Sequence, residues 1–316
     1  MNPSLDIVVP CYNESRNVIP LIEETQKSLG HYFSKLTLIF VDDGSKDDTS
    51  EIVDKAIGTY KSIGIKYIKF TRNYGKEKAV KCGLDHSESE LCAIMDGDLQ
   101  HPPVKITDAW QKMTEEKSSI VYISPLKRIK YLYQKFGTYG YRKLLNTFSK
   151  EKVYLTDFTL LNKKAVDIIK LYNEADFYTR GILSILGLKA SEIFYTPQER
   201  MYGKTNFSFK KLIGLAIYGV MSVSVKPLRM AIYFGLFISF ISMLFGVYIV
   251  IEKIVSGQPI PGFATLGFGM FFFAGIQLLF LGLIGEYIGK TFIQTKNRPI
   301  YTIDTYLSNT DVDHHE

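Results

Sequence analysis

The chain is poor in cysteine and has no glycine-rich turn behind its first strand-like run, and each shortage excludes something. Cys11, Cys82 and Cys92 are the only three cysteines in 316 residues, an odd number confined to the N-terminal part. They predict reduced packing thiols in a cytosolic domain rather than a disulfide framework or a thiolate metal cluster. The first apolar run, Ile7–Val9, is too short for a secretory leader. The segment Val9-Pro10-Cys11-Tyr12-Asn13-Glu14 lacks G-x-G-x-x-G. A dinucleotide fold would need that turn to seat a pyrophosphate on a helix N-terminus. Any diphosphate bound here must therefore be neutralised by other means.

Apolar residues make up 46% of the chain, and their distribution matters more than their sum. Met230–Ile251 and Phe263–Gly285 carry no charged residue. At ~1.5 Å per residue each run is long enough to cross a hydrocarbon core of roughly 30 Å. Between them, Glu252–Gly262 holds Gly257, Pro259, Pro261 and Gly262, which predicts a tight turn between antiparallel helices. Lys226, Arg229, Lys290, Lys296 and Arg298 flank the outer ends of the runs, whereas the connector offers only Lys253. The positive-inside rule then places both termini and the large domain in the cytoplasm. Small residues Gly235, Ser239, Ser242 and Gly246 recur along the first run at spacings that allow close helix approach, within one hairpin or in a homo-oligomer such as a dimer or tetramer.

The net charge of +6 is concentrated beside aromatics. Lys127, Arg128, Lys130, Lys135, Arg142, Lys143 and Lys150 alternate with Tyr131, Tyr133, Phe136, Tyr139, Tyr141 and Phe148. Next to membrane spans, that pattern fits a segment (127–150) lying on anionic headgroups, not a nucleic-acid face. Residues 207–228 read as an amphipathic juxtamembrane helix, 229–290 as the two spans and 291–316 as a cytoplasmic tail.

Residues 1–206 read as an α/β domain. Asp6–Pro10, Leu36–Val41, Ile65–Phe70, Leu91–Met95 and Ile120–Ile123 have strand character. Ser15–Leu29, Asp48–Ile57, Gly75–His86 and Val104–Glu115 have helical character, which implies a mostly parallel sheet with crossover helices. Strand Phe158–Leu161, helices Lys163–Tyr172 and Tyr178–Leu186, and strand Glu192–Tyr195 follow. The chemistry gathers at strand ends, where open α/β sheets bind ligands. Asp96 and Asp98 follow a buried strand at i and i+2, so in an extended chain they share one face. They repel one another unless a cation sits between them. Magnesium is held by one or two carboxylates completed by phosphates and water, which suits so thin a protein shell. The second strand ends Val41-Asp42-Asp43-Gly44-Ser45, where a carboxylate can accept from a nucleobase N–H or a ribose hydroxyl.

Together these pieces resemble the family 2 glycosyltransferases of the GT-A fold, a Rossmann-like mixed, mostly parallel sheet. Within them the chain is most similar to the membrane-anchored polyprenyl-phosphate glycosyltransferases, which include bactoprenol glucosyltransferases and dolichyl-phosphate mannose synthases. The matching residues are Pro10–Glu14, Asp42–Ser45, Arg72–Glu77, Asp96–Pro103, Thr156-Asp157-Phe158, Arg200 with Gly203, the two spans, and Gly285–Lys290. The resemblance implies that Pro10, Tyr12, Glu14 and Asp42 or Asp43 frame the nucleotide, joined by Lys76, with Asp96 on ribose or diphosphate. Asp98 and Gln100 would reach a Mg2+ or Mn2+ ion. Asp157 would lie near the reacting centre, Arg200 would meet phosphates, and Lys127, Arg128, Arg142 and Lys204 would meet the acceptor lipid. The chain departs from the family pattern at Pro125, Thr159 and Gly203–Phe207, positions that bear on donor and acceptor contacts.

The implied reaction moves a sugar from a nucleotide sugar such as UDP-glucose, UDP-GlcNAc or GDP-mannose to undecaprenyl phosphate, with inversion, at a bacterial inner membrane. A lipid monophosphate has its second pKa near about 6 and is a ready nucleophile at neutral pH. Asp157 is then better read as an organiser than as an obligatory base. A processive polysaccharide synthase of the same fold would show a Q-x-x-R-W pattern and several spans, but the one tryptophan here is Trp110. A catalytically silent nucleotide-sugar-binding scaffold would not need the Asp96, Asp98 and Gln100 set.

Overall fold

A computed structural model describes residues 2–126, 154, 156–196, 226–256 and 262–310. The chain divides into two units, one of Met1–Gly219 with Pro299–Glu316 and one of Val220–Arg298. In the first, the alternating runs become β1 (Ser4–Cys11), α1 (Ser15–Leu29), β2 (Lys35–Asp42), α2 (Thr49–Thr59), β3 (Gly64–Phe70), α3 (Lys76–Asp85), β4 (Leu91–Ile94), α4 (Lys105–Glu116) and β5 (Ile120–Pro125). There follow β6 (Thr159–Asn162), α5 (Lys163–Lys170), α6 (Thr179–Ile185) and β7 (Ala190–Tyr195). The sheet closes with β8 (Ile303–Ser308) from the C-terminal segment, giving the order β7-β5-β6-β4-β1-β2-β3-β8. Strand β6 runs antiparallel to β4 and β5, β8 runs antiparallel to β3, and the other pairs are parallel.

The sheet lies between two cores because its strands are apolar on both faces, as parallel strands covered by helices must be. Leu5, Ile7 and Val9 of β1 pack with Leu21 and Ile22 of α1, Val53 of α2 and Ile106 of α4. Val8 of β1 faces the other way, among Ala79 and Val80 of α3, Val166 and Ile169 of α5, and Ile182 of α6. Chain order runs outward from β1 through β2 to β3, then returns to β4 on the opposite side of β1. That reversal opens a crevice at the carboxyl ends of β1 and β4. Register brings the strand ends together, with Cys11 opposite Asp42 and Val8 opposite Ile94.

The expected tail is not a tail throughout. Residues 303–308 pair with β3, Phe70 against Ile303 and Lys66 against Ser308, with a bulge between Lys69 and Phe70. The strand is short and half-exposed, so the unpaired edge of β3, not a buried apolar stripe of its own, makes it a strand.

The second unit contains α7 (Lys226–Ser256) and α8 (Phe263–Thr295). Within them Ala231–Ile249 and Phe272–Thr295 are long and apolar enough to cross a membrane. Phe234 packs edge-on against Phe280 with ring centroids 6.2 Å apart. A Cβ added at Gly235 or Gly246 would meet nothing within 4 Å, so among the described residues neither glycine is a point of close approach. Of the expected helix at 207–228, residues 207–225 lie outside the described residues, as does the segment 127–150, and 226–228 open α7.

Candidate active site

The crevice is built by two loops stitched together through side chains. Asn13, after β1, adopts φ 57°, a left-handed conformation that asparagine tolerates well. Its N–H donates to Ser45 Oγ (2.8 Å) and its Oδ1 accepts from the N–H of Lys46 (2.9 Å). Asp47 accepts from the N–H groups of Ser15 and Thr49, both at 3.2 Å, and so serves the first turns of α1 and α2 at once. Gly44 has φ +75°, and a Cβ there would lie 2.7 Å from the Arg72 carbonyl carbon. Gly44→Ala therefore forces backbone apart as well as straining φ, and is expected to destabilise this unit by about 2–3 kcal/mol. Thermal unfolding of the solubilised protein should show it; an unchanged midpoint would contradict the close approach.

The adjacent acids after β2 separate into different jobs. Asp42 is fully buried, with Oδ1 accepting from Ser45 N–H (2.7 Å) and Oδ2 from the Tyr67 hydroxyl (2.6 Å). It holds the loop and does not reach the crevice. Asp43 does, and its carboxylate accepts from the N–H groups of Tyr74 (2.5 Å) and Gly75 (2.8 Å). Burial raises its pKa from the ordinary value, although those two N–H groups pull the other way.

After β4, Asp98 Oδ1 accepts from the N–H of Gln100 (3.2 Å), and Leu99 between them is forced to φ 60°. A leucine in that region is strained, and such strain gathers at functional sites. The N–H of Asp96 donates to His101 Nδ1 (3.1 Å), and the His101 ring stacks on Phe158 with centroids 4.9 Å apart. Burial pushes the His101 pKa down. The neutral ring, accepting at Nδ1, therefore carries its proton on Nε2.

A chain of charges crosses the floor of the crevice. Lys76, the first residue of α3, places Nζ 2.5 Å from Asp96 Oδ1 and 2.8 Å from Asp157 Oδ2. Arg180 Nε donates to the other oxygen of Asp157 at 2.7 Å. Burial opposes the charge on Asp157, but Lys76 and Arg180 outweigh it and hold the carboxylate well below the usual range. Burial likewise opposes the charge on Lys76, yet Asp96 and Asp157 keep its pKa raised. Thr179, beside Arg180, donates its N–H (2.8 Å) and hydroxyl (2.5 Å) to Glu77, which locks α6 against α3.

Pro10, Tyr12, Glu14, Asp43, Lys76, Asp96 and Asp98 thus line one cavity of about 220 Å³. Asp157 stands beside it, joined through Lys76. Arg200, Lys127, Arg128, Arg142 and Lys204 lie outside the described residues. The sequence reading gave two of these residues no role. His101 lay inside the matching Asp96–Pro103 stretch, whereas Arg180 belongs to no motif and reaches Asp157 only through the packing of α6.

Among the described residues no three His, Cys, Asp or Glu side chains converge into a cation cage. The donors present nonetheless fit a hard divalent cation that keeps ligands from substrate and water. Asp98 opens on the cavity, and Asp96 Oδ1, buried against Lys76, has no well-aligned hydrogen-bond donor.

Residues 6–168 match the model of Glycosyl transferase family 2. The chain is 34% identical over 309 residues to the bactoprenol glucosyl transferase of Shigella phage SfX, covering 95% of this chain and 98% of that protein. It is 31% identical over 310 residues to the putative glycosyltransferase CsbB of Bacillus subtilis (strain 168), covering 98% of this chain and 94% of that one. Among solved structures, the mannosyltransferase PcManGT from Pyrobaculum calidifontis, in complex with GDP-Man and Mn2+, shares the fold. The two superpose with a TM-score of 0.54 at 16% identity, over 72% of this chain and 65% of that one. An acid-lined cleft at the reversal point of a mostly parallel sheet, and relatives that match along almost the whole chain, make this protein a glycosyltransferase, and the chain belongs to glycosyl transferase family 2.

Proposed function

We propose that the protein transfers a single hexose from a nucleotide sugar, UDP-glucose foremost, to polyprenyl phosphate at the cytoplasmic face of a bacterial inner membrane, with inversion at the anomeric carbon. The observation that carries this reading is Asp157. Each of its oxygens is paired to a cation, Lys76 on one side and Arg180 on the other. A carboxylate so held is a poor proton acceptor. An acceptor hydroxyl would need a base, whereas a phosphate monoester arrives ionised, with its second pKa near about 6. Its oxygen attacks the anomeric carbon directly, the bond to the nucleoside diphosphate breaks, and the diphosphate departs with the electron pair. No proton has to be removed.

The residues divide the work. Tyr12, Glu14 and Asp43 frame the base and ribose, and Lys76 stands where the diphosphate charge develops. Asp98 and Gln100 would hold a divalent cation, Mg2+ or Mn2+, which when bound supplies charge stabilisation to the leaving diphosphate. Arg200, Lys204 and the basic aromatic segment with Lys127, Arg128 and Arg142 are assigned to the acceptor phosphate.

The membrane half of the proposal rests on chain connectivity. Residues before α7 and after α8 belong to one folded unit, so the chain must return to the side it left, as a two-span hairpin does. The bactoprenol names of the relatives support the acceptor. The test is to incubate membranes carrying the protein with labelled UDP-glucose, UDP-GlcNAc or GDP-mannose and undecaprenyl phosphate. One donor is expected to pass label into the organic phase, in proportion to added lipid phosphate. Label confined to free sugar, or built into a polymer, would overturn the proposal.

A further inference from the structure

We infer that the C-terminal segment Tyr301–Thr310 is part of the donor site, with Tyr301 and Thr302 acting as positioning residues that hold the loop 71–75 against Asp43. The inference rests on the nucleotide reading of Asp43 given above. It starts from the way that loop is held. On its inner side the N–H groups of Tyr74 and Gly75 close on the Asp43 carboxylate. The backbone of Arg72 and Asn73 presses on Gly44 so closely that no side chain fits there. On its outer side the Arg72 guanidinium and the Lys78 ammonium lie over the Tyr74 ring, 4.7 and 5.9 Å from its centroid, and the C-terminal segment supplies further support. Thr71 N–H donates to the Thr302 carbonyl (3.1 Å), and the Tyr74 hydroxyl donates to Thr302 Oγ1 (3.1 Å). The Tyr301 ring stacks on Phe70, centroids 5.2 Å apart at 14°, and Phe70 in turn receives Tyr74 edge-on at 5.6 Å.

The segment is fastened at both ends. The Tyr301 hydroxyl donates to Asp85 Oδ2 (3.0 Å) at the end of α3, where the other Asp85 oxygen pairs with the buried Lys81 (2.5 Å). Asn309 plugs the far end of the edge, accepting from Ile65 N–H (2.7 Å) and donating to the carbonyls of Tyr60 (3.1 Å) and Ile63 (3.2 Å). A strand needed only to cap a sheet edge would call for ladder hydrogen bonds alone. Thr302 directly, and Tyr301 through Phe70, instead reach one loop, and the Tyr74 and Gly75 N–H groups of that loop hold the Asp43 carboxylate, which lines the cavity.

The test uses the full chain, with direct binding of UDP-glucose, UDP-GlcNAc and GDP-mannose measured beside transfer kinetics. Tyr301→Ala is expected to raise the Kd and KM of the donor about 10-fold while kcat stays within about twofold, because the chemistry is untouched and only the hold on Asp43 is loosened. Tyr301→Phe keeps the stack and loses only the hydrogen bond to Asp85, so it should raise the donor Kd less than Tyr301→Ala does. Should Tyr301→Ala fail to fold, Thr302→Val removes one hydroxyl and is expected to raise donor KM about threefold, with Thr302→Ser restoring it. A lower unfolding temperature with unchanged donor Kd, or a loss of kcat with unchanged KM, would mean that the strand is structural only and overturn the inference. If the wild type binds none of the three nucleotide sugars, the donor-site reading itself falls, and this one with it.

Discussion

Asp98→Asn is expected to lower sugar transfer at least roughly 100-fold, about 2.7 kcal/mol of transition-state stabilisation. The substitution isolates charge from structure. Asparagine keeps the side-chain oxygen that accepts from Gln100 N–H, so the turn holding Leu99 at φ 60° survives. What it removes is the carboxylate that opens on the cavity beside Asp96 and Gly97. Without it a departing diphosphate faces Asp43 and Asp96 with less compensation, and a hard divalent cation loses its anionic protein ligand. Excess chelator should reproduce the loss in the wild type and add little in the variant. Near-normal turnover of Asp98→Asn at an unchanged unfolding temperature would sink the metal role.

The same turn shows what could be read from the chain alone. Asp96 and Asp98 announce themselves because period-two spacing after an apolar run is a local signal. The helix Ser15–Leu29 has the bounds its pattern predicts, since its apolar positions recur at helical spacing and Gly30 follows it. Asp42 and Asp43 were not separable by the same logic. Neighbouring residues at a strand end point opposite ways, and which one meets ligand depends on Tyr67 of β3 taking the Asp42 carboxylate. Strand β8 was invisible for a related reason. Its residues carry a weak alternation, and their partner, the edge of β3, lies more than two hundred residues earlier. Arg180 is the furthest from legibility. A lone arginine on the short helix Thr179–Ile185 gains its meaning only because Thr179 and Glu77 dock that helix on α3.

Arg180 is also where the roles of base and organiser for Asp157 can be told apart. Asp157→Asn should cost about 100-fold in kcat, because an amide cannot neutralise Lys76 and Arg180 together. That loss alone fits either role. The pH profile separates them. Although burial opposes its charge, Lys76 and Arg180 hold Asp157 below the usual carboxylate range, so it stays anionic throughout any practical assay. A depressed folded-state pKa contributes stability that is complete above the unfolded value of about 3.9 and is lost only as pH falls toward the folded value. Neither stability nor rate should therefore step with Asp157 between about pH 5 and 9. The rate is expected to be level at high pH and to fall below about pH 6, where the acceptor phosphate takes up its second proton. Arg180→Met should lower kcat by about tenfold or more and leave that profile in place, with Arg180→Lys recovering part of the rate, since lysine restores charge without the planar fork. A base would behave otherwise. Removing Arg180 would make Asp157 more basic, shift the acid limb upward and spare or even raise the rate at high pH, and that pattern would assign Asp157 to proton abstraction and the acceptor to a hydroxyl.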